Sequence, residues 1–201
     1  MNGQETEVKF YVRGLKKIET RLLELKARLI QARVHELNYR YDMPDGSLRA
    51  REHVLRLRRD TNAILTFKGS SNLIDGVFSR TELETTVGDL ETAERILEAL
   101  GYVRILIYEK YRAVYQINDC HIMLDELPYG DFVEIEGPDA SSLRKMASHL
   151  ALDFEAAVGA GYVKLYEQYN SRYGFPHRDL TFDVLREKKP SPEELNVRAA
   201  D

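Results

Sequence analysis

The stretch Glu5-Thr6-Glu7-Val8-Lys9-Phe10-Tyr11-Val12 constrains the chain more than any other. At the two-residue period of a strand, Glu5, Glu7, Lys9 and Tyr11 share one face, and Thr6, Val8, Phe10 and Val12 take the other. A half-buried strand ordinarily turns such a charged face to water. Here the same inversion recurs in Leu55-Arg56-Leu57-Arg58, Ile64-Leu65-Thr66-Phe67-Lys68, Arg80-Thr81-Glu82-Leu83-Glu84 and Phe132-Val133-Glu134-Ile135-Glu136, with charges that complement the first set. The pattern implies a sheet that encloses its polar face.

Between these stretches the apolar spacing switches to a helical period. Leu15, Ile18, Leu22, Leu25 and Leu29 predict an amphipathic helix over 15–33. A strand over 35–42 follows, closed by Pro44-Asp45-Gly46. A second helix is expected over 90–100, capped by Asp89, striped by Ala93, Ile96, Leu97 and Leu100 and stopped at Gly101. A hairpin turns at Asn118-Asp119, between strands over 102–117 and 121–126. Two further helical patterns follow. Asp139 caps one carrying Leu143, Met146, Ala147 and Leu150, and the other carries Tyr162, Leu165, Tyr166 and Tyr169. Residues 1–174 thus form one domain. Residues 175–201 turn charged and proline-bearing, and read as a weakly ordered tail or short helix.

The charged members of the strands define the candidate chemistry. The acids are Glu5, Glu7, Glu82, Glu84, Asp125, Glu134 and Glu136, and the bases are Lys9, Arg56, Arg58, Lys68, Arg80, Lys110 and Arg112. Val8, Leu55, Leu57, Phe67, Leu83, Ala113, Val133 and Ile135 occupy the opposite faces. The expected fold is α+β: a closed eight-stranded antiparallel barrel with polar contents and helices packed outside. A lattice of ion pairs filling the barrel would be costly, because pairing often fails to offset desolvation. Clustered bases instead favour a dense anion, with Arg forks and Lys point charges suited to phosphoryl oxygens. Several glutamates without a supporting His or Cys cluster suit Mg²⁺ or Mn²⁺ rather than zinc. A polyphosphate processed by metal-assisted displacement at phosphorus follows.

Glu5-Thr6-Glu7-Val8-Lys9 resembles the ExExK signature of the CYTH superfamily, the triphosphate tunnel metalloenzymes. Tyr41-Asp42, Leu55-Arg56-Leu57-Arg58, Thr66-Phe67-Lys68, Arg80-Thr81-Glu82-Leu83-Glu84, Glu109-Lys110-Tyr111-Arg112, Leu124-Asp125-Glu126-Leu127-Pro128 and Phe132-Val133-Glu134-Ile135-Glu136-Gly137 follow in that family's order. The resemblance implies a tunnel that binds a triphosphate with divalent metal. Activities known in the family are inorganic, thiamine and RNA triphosphatase and class IV adenylate cyclase.

By that resemblance Glu5 and Glu7, opposed by Glu134 and Glu136, are metal carboxylates, and Glu82 and Glu84 complete metal binding or position water. Asp125 either steadies a basic side chain or supports a metal. Lys9, Arg56, Arg58, Lys68, Arg80, Lys110 and Arg112 form the triphosphate cradle, and the catalytic set is Glu5, Glu7, Lys9, Glu84 and Glu134. Arg40 departs from the family pattern, which more usually has an aromatic or small polar residue before Tyr41.

The expected activity is a triphosphatase acting on inorganic triphosphate, with a nucleoside or thiamine triphosphate as the other candidate substrates. Its rivals are a class IV adenylate cyclase and a non-catalytic polyphosphate or nucleotide sensor. Charged residues are 31% of the chain, yet the net charge is only −4. That argues against a generic nucleic-acid or membrane surface. Cys120 is the only cysteine, so a disulfide within the chain is excluded. No apolar signal segment opens the chain, which makes a cytoplasmic protein the expectation and leaves a homodimer open.

Overall fold

The computed structural model describes residues 4–174, 177–186 and 189–201, and the side chains of residues 4 and 5 lie outside the described set. Eight strands carry the fold: β1 (Gln4–Val12), β2 (Arg28–Asp42), β3 (Val54–Arg59), β4 (Ala63–Ile74), β5 (Val77–Val87), β6 (Val103–Ile117), β7 (Cys120–Leu127) and β8 (Gly130–Glu136). All neighbours are antiparallel, in the order β1-β5-β4-β3-β2-β6-β7-β8, and β8 pairs back onto β1. The ladder is therefore a hydrogen-bonded ring. The helices are α1 (Leu15–Glu24), α2 (Ser47–Ala50), α3 (Leu90–Ala99), α4 (Ala140–His149) and α5 (Tyr162–Tyr173).

Apolar faces of the strands meet helices outside the ring around much of its circumference. Val8, Phe10, Ile122, Leu124, Val133 and Ile135 pack with Ile18 and Leu22 of α1 and with Leu143, Met146 and Ala147 of α4. Tyr41, Leu55 and Leu57 pack with Leu97 of α3. Aspartate caps start two of these helices: Asp89 accepts from the Thr92 N–H at 2.7 Å and Asp139 from the Ser142 N–H at 2.8 Å. The β4–β5 hairpin turns on Asp75 and Gly76, both with positive φ (50° and 79°). That is the backbone of the tight hairpin turn whose twist matches the strands.

Four expectations are corrected. The first helix stops at Glu24 instead of running to residue 33, and β2 begins at Arg28. Leu25 ends the helix and Lys26 takes a left-handed conformation (φ 57°), after which Arg28 pairs with Gln116 of β6. Leu25 and Leu29 continue a helical spacing, but the ladder with β6 decides the backbone. Leu83 was expected under a helix and is 57% exposed, because no helix covers that part of β5. Of the stripe on α3, Leu97 is buried, whereas Ile96 and Leu100 face outward.

The segment after Gly174, expected as a weakly ordered tail or short helix, is docked on the domain where it is described. Leu180, Leu185 and Leu195 are buried against α5 and the sheet, in a cluster with Tyr166 and Tyr169. The Leu180 N–H donates to the Ile107 carbonyl (2.9 Å), and the Ala200 N–H donates to the Tyr11 carbonyl (3.0 Å). Composition alone reads this segment as polar because its three leucines are widely separated.

Leu195→Ala should lower the unfolding free energy by about 2–4 kcal/mol, the range for a buried leucine truncation. Thermal and denaturant unfolding measure this, and an unchanged Tm would mean the segment contributes no core.

Candidate functional site

The pleat places the charged alternates of every strand on the inner face of the ring. They surround a cavity of about 900 Å³ whose walls include Glu7, Lys9, Arg56, Lys110 and Glu134. Lys9 and Lys110 on this wall are each 2% exposed, and Asp125, the partner of Lys110, is 0% exposed. An interior this polar needs internal partners, since an ion removed from water without one is very unfavourable.

Those partners form a chain around the wall. Lys9 and Arg112 both pair with Glu134. Arg112 also grips Asp125 through Nε (2.6 Å) and its second terminal nitrogen, and Lys110 Nζ meets the same carboxylate at 3.1 Å. The Tyr162 hydroxyl donates to Asp125 at 2.7 Å. On the other arc, Arg56 contacts Glu84 at 3.2 Å, Thr66 donates to Glu84 at 2.7 Å, and Lys68 meets Glu82 at 2.9 Å. Arg80 reaches Glu7 at 3.2 Å and Arg58 reaches Asp60 at 3.2 Å. The predicted acids and bases thus come together in one enclosed space. Glu5 sits opposite Arg80 on the β1–β5 ladder, and its side chain is outside the described set.

The charges hold one another ionised. Burial works against the Lys9 ammonium, but Glu134 and Glu7 outweigh it and keep its pKa above the ordinary range. Burial likewise opposes the Glu134 carboxylate, while Lys9, Arg112 and Lys110 hold its pKa well below the usual value. Glu36 is the acid that sequence reasoning missed. It is buried within 3.5 Å of Lys110 Nζ, and despite burial Lys110, Arg112, Arg58 and Arg56 bring its pKa down to about 2. Its signal was present: Glu36, Asn38, Arg40 and Asp42 alternate with Leu37, Tyr39 and Tyr41.

Glu7 and Glu136 stand directly opposite each other across β1 and β8, and Glu134 follows two residues along the same face. Like charges on facing positions repel. Glu7 is offset by Arg80. These are hard oxygen donors without thiolate or imidazole among them, which suits Mg²⁺ or Mn²⁺. Among the described residues no three His, Cys, Asp or Glu groups are already gathered to hold a metal ion. The remaining predicted metal acids, Glu82, Glu84 and Asp125, are each engaged with bases.

One end of the ring is filled by aromatic side chains. Tyr11 and Phe132 continue the inner faces of Lys9 and Glu134, with ring centroids 5.4 Å apart, and Tyr162 at the start of α5 packs on Phe132 at 5.1 Å. The Lys9 ammonium lies 4.3 Å from the centre of the Tyr162 ring. Gly130 is required beside them, because a Cβ there would meet the Tyr11 ring at 2.7 Å and its φ is +156°. Of the histidines, His121 and His53 reach the cavity wall. Among the described residues no helix is long and apolar enough to cross a membrane.

Comparison with solved structures finds the same architecture elsewhere. A Vibrio parahaemolyticus protein carried under a provisional adenylate cyclase name superposes with a TM-score of 0.72 at 21% identity, covering 82% of this chain and 99% of its own. A Pyrococcus horikoshii protein gives 0.68 at 23% identity, covering 80% and 98%. The Hippeastrum protein HpAC1, an adenylyl cyclase candidate with a dominant triphosphatase activity, gives 0.60 at 17% identity, covering 96% and 100%. At these identities the likeness is one of fold. A comparison with curated proteins gave no match. The CYTH domain model matches residues 3–149, and the chain belongs to that family.

Proposed function

We propose that this protein hydrolyses a triphosphate, with inorganic triphosphate as its substrate, and that the ring of strands acts as a closed barrel through which the substrate's charge is bound. The observation that carries the reading is the cavity of about 900 Å³ kept open among at least seven bases and seven acids. Protein interiors are close-packed, so a purely structural ion lattice would fill such a space. The volume also lies in the range of pockets built for ligands.

In this reading the bases exchange partners when substrate enters. Lys9, Arg56, Arg58, Lys68, Arg80, Lys110 and Arg112 are each paired with a carboxylate within 4.0 Å. Phosphoryl oxygens replace part of those contacts, with Arg forks and Lys ammoniums spreading the charge that develops on the transferred and leaving groups. Glu7, Glu134 and Glu136, joined by Glu5, would hold Mg²⁺ or Mn²⁺, which supplies when bound a positive charge on phosphoryl oxygens and an acidified water. Glu82 and Glu84 steady Lys68 and Arg56. Asp125 orients Lys110 and Arg112 instead of serving as a ligand, because both bases and Tyr162 occupy its oxygens. Glu36 holds Lys110 from the opposite side.

The direct test incubates purified protein and Mg²⁺ with inorganic triphosphate and, separately, with ATP. Orthophosphate from triphosphate is expected. Cyclic AMP from ATP would make the protein a cyclase, and tight binding without turnover would make it a sensor. Glu7→Gln should lower kcat by at least about 10²-fold, the scale of losing one electrostatic stabiliser in a dry site, with its melting behaviour retained. Near-normal turnover in that variant would remove Glu7 from the metal site.

Glu36 gives a prediction about stability. Its carboxyl pKa is depressed to about 2 in the folded chain, so its contribution is fully present above the unfolded value near 4.5 and is lost as pH falls through about 2. The shift corresponds to about 3 kcal/mol. Glu36→Gln should therefore be less stable at pH 7 and show a shallower loss of stability between pH ~4.5 and ~2 than the wild type. Denaturant titrations across that window measure it, and parallel curves for the two proteins would refute the pairing.

A further inference from the structure

Arg40 stands apart from the other bases on the inner faces of the strands. Lys9, Arg56, Arg58, Lys68, Arg80, Lys110 and Arg112 each have a carboxylate within 4.0 Å. Arg40 lines the same cavity, its Nε is buried without a hydrogen-bond partner, and among the described residues no carboxylate pairs with it. Its facing neighbours on the ladders are Arg56 of β3 and Leu106 of β6, a like charge and an apolar group. On its own strand face, the Asp42 carboxylate accepts from the backbone N–H groups of Met43, Leu48 and Arg49, and Glu36 is committed to Lys110. Burial pulls the Arg40 guanidinium pKa below its ordinary range, and Arg56 and Arg80 add to that against Tyr108 and Glu167. Among the described residues no ion pair accounts for keeping a cation there, whereas an anionic ligand would.

Position says which part of a ligand it would meet. Arg40 faces Arg56 of the cradle on the β2–β3 ladder, and Arg80 and Glu167 of α5 line the same cavity. Lys164 and Arg178 line the same cavity beside α5. Arg40 therefore continues the row of bases from the cradle toward α5, past the groups that already have partners to exchange. We infer that Arg40 binds a fourth phosphoryl group, so that the site reaches beyond inorganic triphosphate and holds linear polyphosphates of four or more phosphoryl units more tightly still. The inference rests on the triphosphatase reading and names the substrate class within it. A planar, five-donor guanidinium suits a terminal phosphoryl group with several free oxygens.

The test is titration calorimetry of the full chain with tripolyphosphate, tetrapolyphosphate and ATP, once in EDTA and once with Ca²⁺ in place of Mg²⁺. Wild type, Arg40→Gln and Arg40→Lys are compared. The wild type should bind tetrapolyphosphate more tightly than tripolyphosphate. Arg40→Gln should reduce that affinity ratio about 10–100-fold, the worth of a charge-assisted hydrogen bond, and Arg40→Lys should restore part of it. Arg40→Gln should not melt below the wild type, because it removes an unpaired cation. An affinity ratio unchanged by Arg40→Gln overturns the inference and leaves the triphosphatase reading standing. So does a loss confined to ATP, which would assign the guanidinium to a nucleobase. Absence of binding to all three anions in both conditions overturns the inference and the triphosphatase reading together.

Discussion

The interior of this protein depends on the Asp125 carboxylate. It is fully buried and accepts from Lys110, Arg112 and Tyr162, which come from a neighbouring strand and from the start of α5. Through Arg112 it joins Glu134, and through Glu134 it joins Lys9 on β1. Four consecutive strands of the ring (β6, β7, β8 and β1) and one helix are thus tied along the cavity wall by side chains alone. Two unit charges about 4 Å apart attract by about 4 kcal/mol at an effective dielectric of 20, so each member matters. Removing one partner of such a pair leaves a buried charge uncompensated, which costs about 3–5 kcal/mol.

That wiring reconciles the two demands on the ring. The outer faces supply stability by burying aliphatic and aromatic groups under α1, α3 and α4. Away from its aromatic end the inner face supplies little of that, and its ions would be strongly unfavourable if left without partners. Self-pairing keeps the resting interior neutral enough to fold. In the proposed reading it also sets up exchange, in which a base such as Lys68, paired with Glu82 at 2.9 Å, passes to a phosphoryl oxygen when substrate enters. A cavity of about 900 Å³ remains after all those pairs are made, so the ions line a space instead of filling it.

Much of this was legible in the sequence, and the reason is geometric. A strand with one buried apolar face and one enclosed polar face writes its register into every second residue. Glu7 and Lys9, Arg56 and Arg58, Glu82 and Glu84, and Glu134 and Glu136 could therefore be assigned to one interior before any coordinates. Helices α3 and α4 were legible from Asp89 and Asp139, whose carboxylates accept from the first-turn N–H groups. The boundary between α1 and β2 was not. Leu25 and Leu29 extend a helical spacing past Glu24, and only pairing with β6, more than eighty residues away along the chain, reveals the strand. The last segment hid for a similar reason, since Leu180, Leu185 and Leu195 have no period of their own and are buried by contacts with α5.

Glu36 and Arg40 mark a subtler limit. Both lie on the inner face of β2, and the alternation there is as regular as in β1. What the alternation could not convey is how the charges divide once the ring closes. Glu36 meets Lys110 and Arg112, whereas Arg40, four residues on, meets Arg56 and Leu106 across its ladders. Period alone treats the two as equivalent interior ions, but one completes the chain's own network and the other leaves it open. Pairing is a property of the closed ring and its register. The charge left over at Arg40 follows from which strand sits beside β2, and that is the part of the site a linear reading cannot supply.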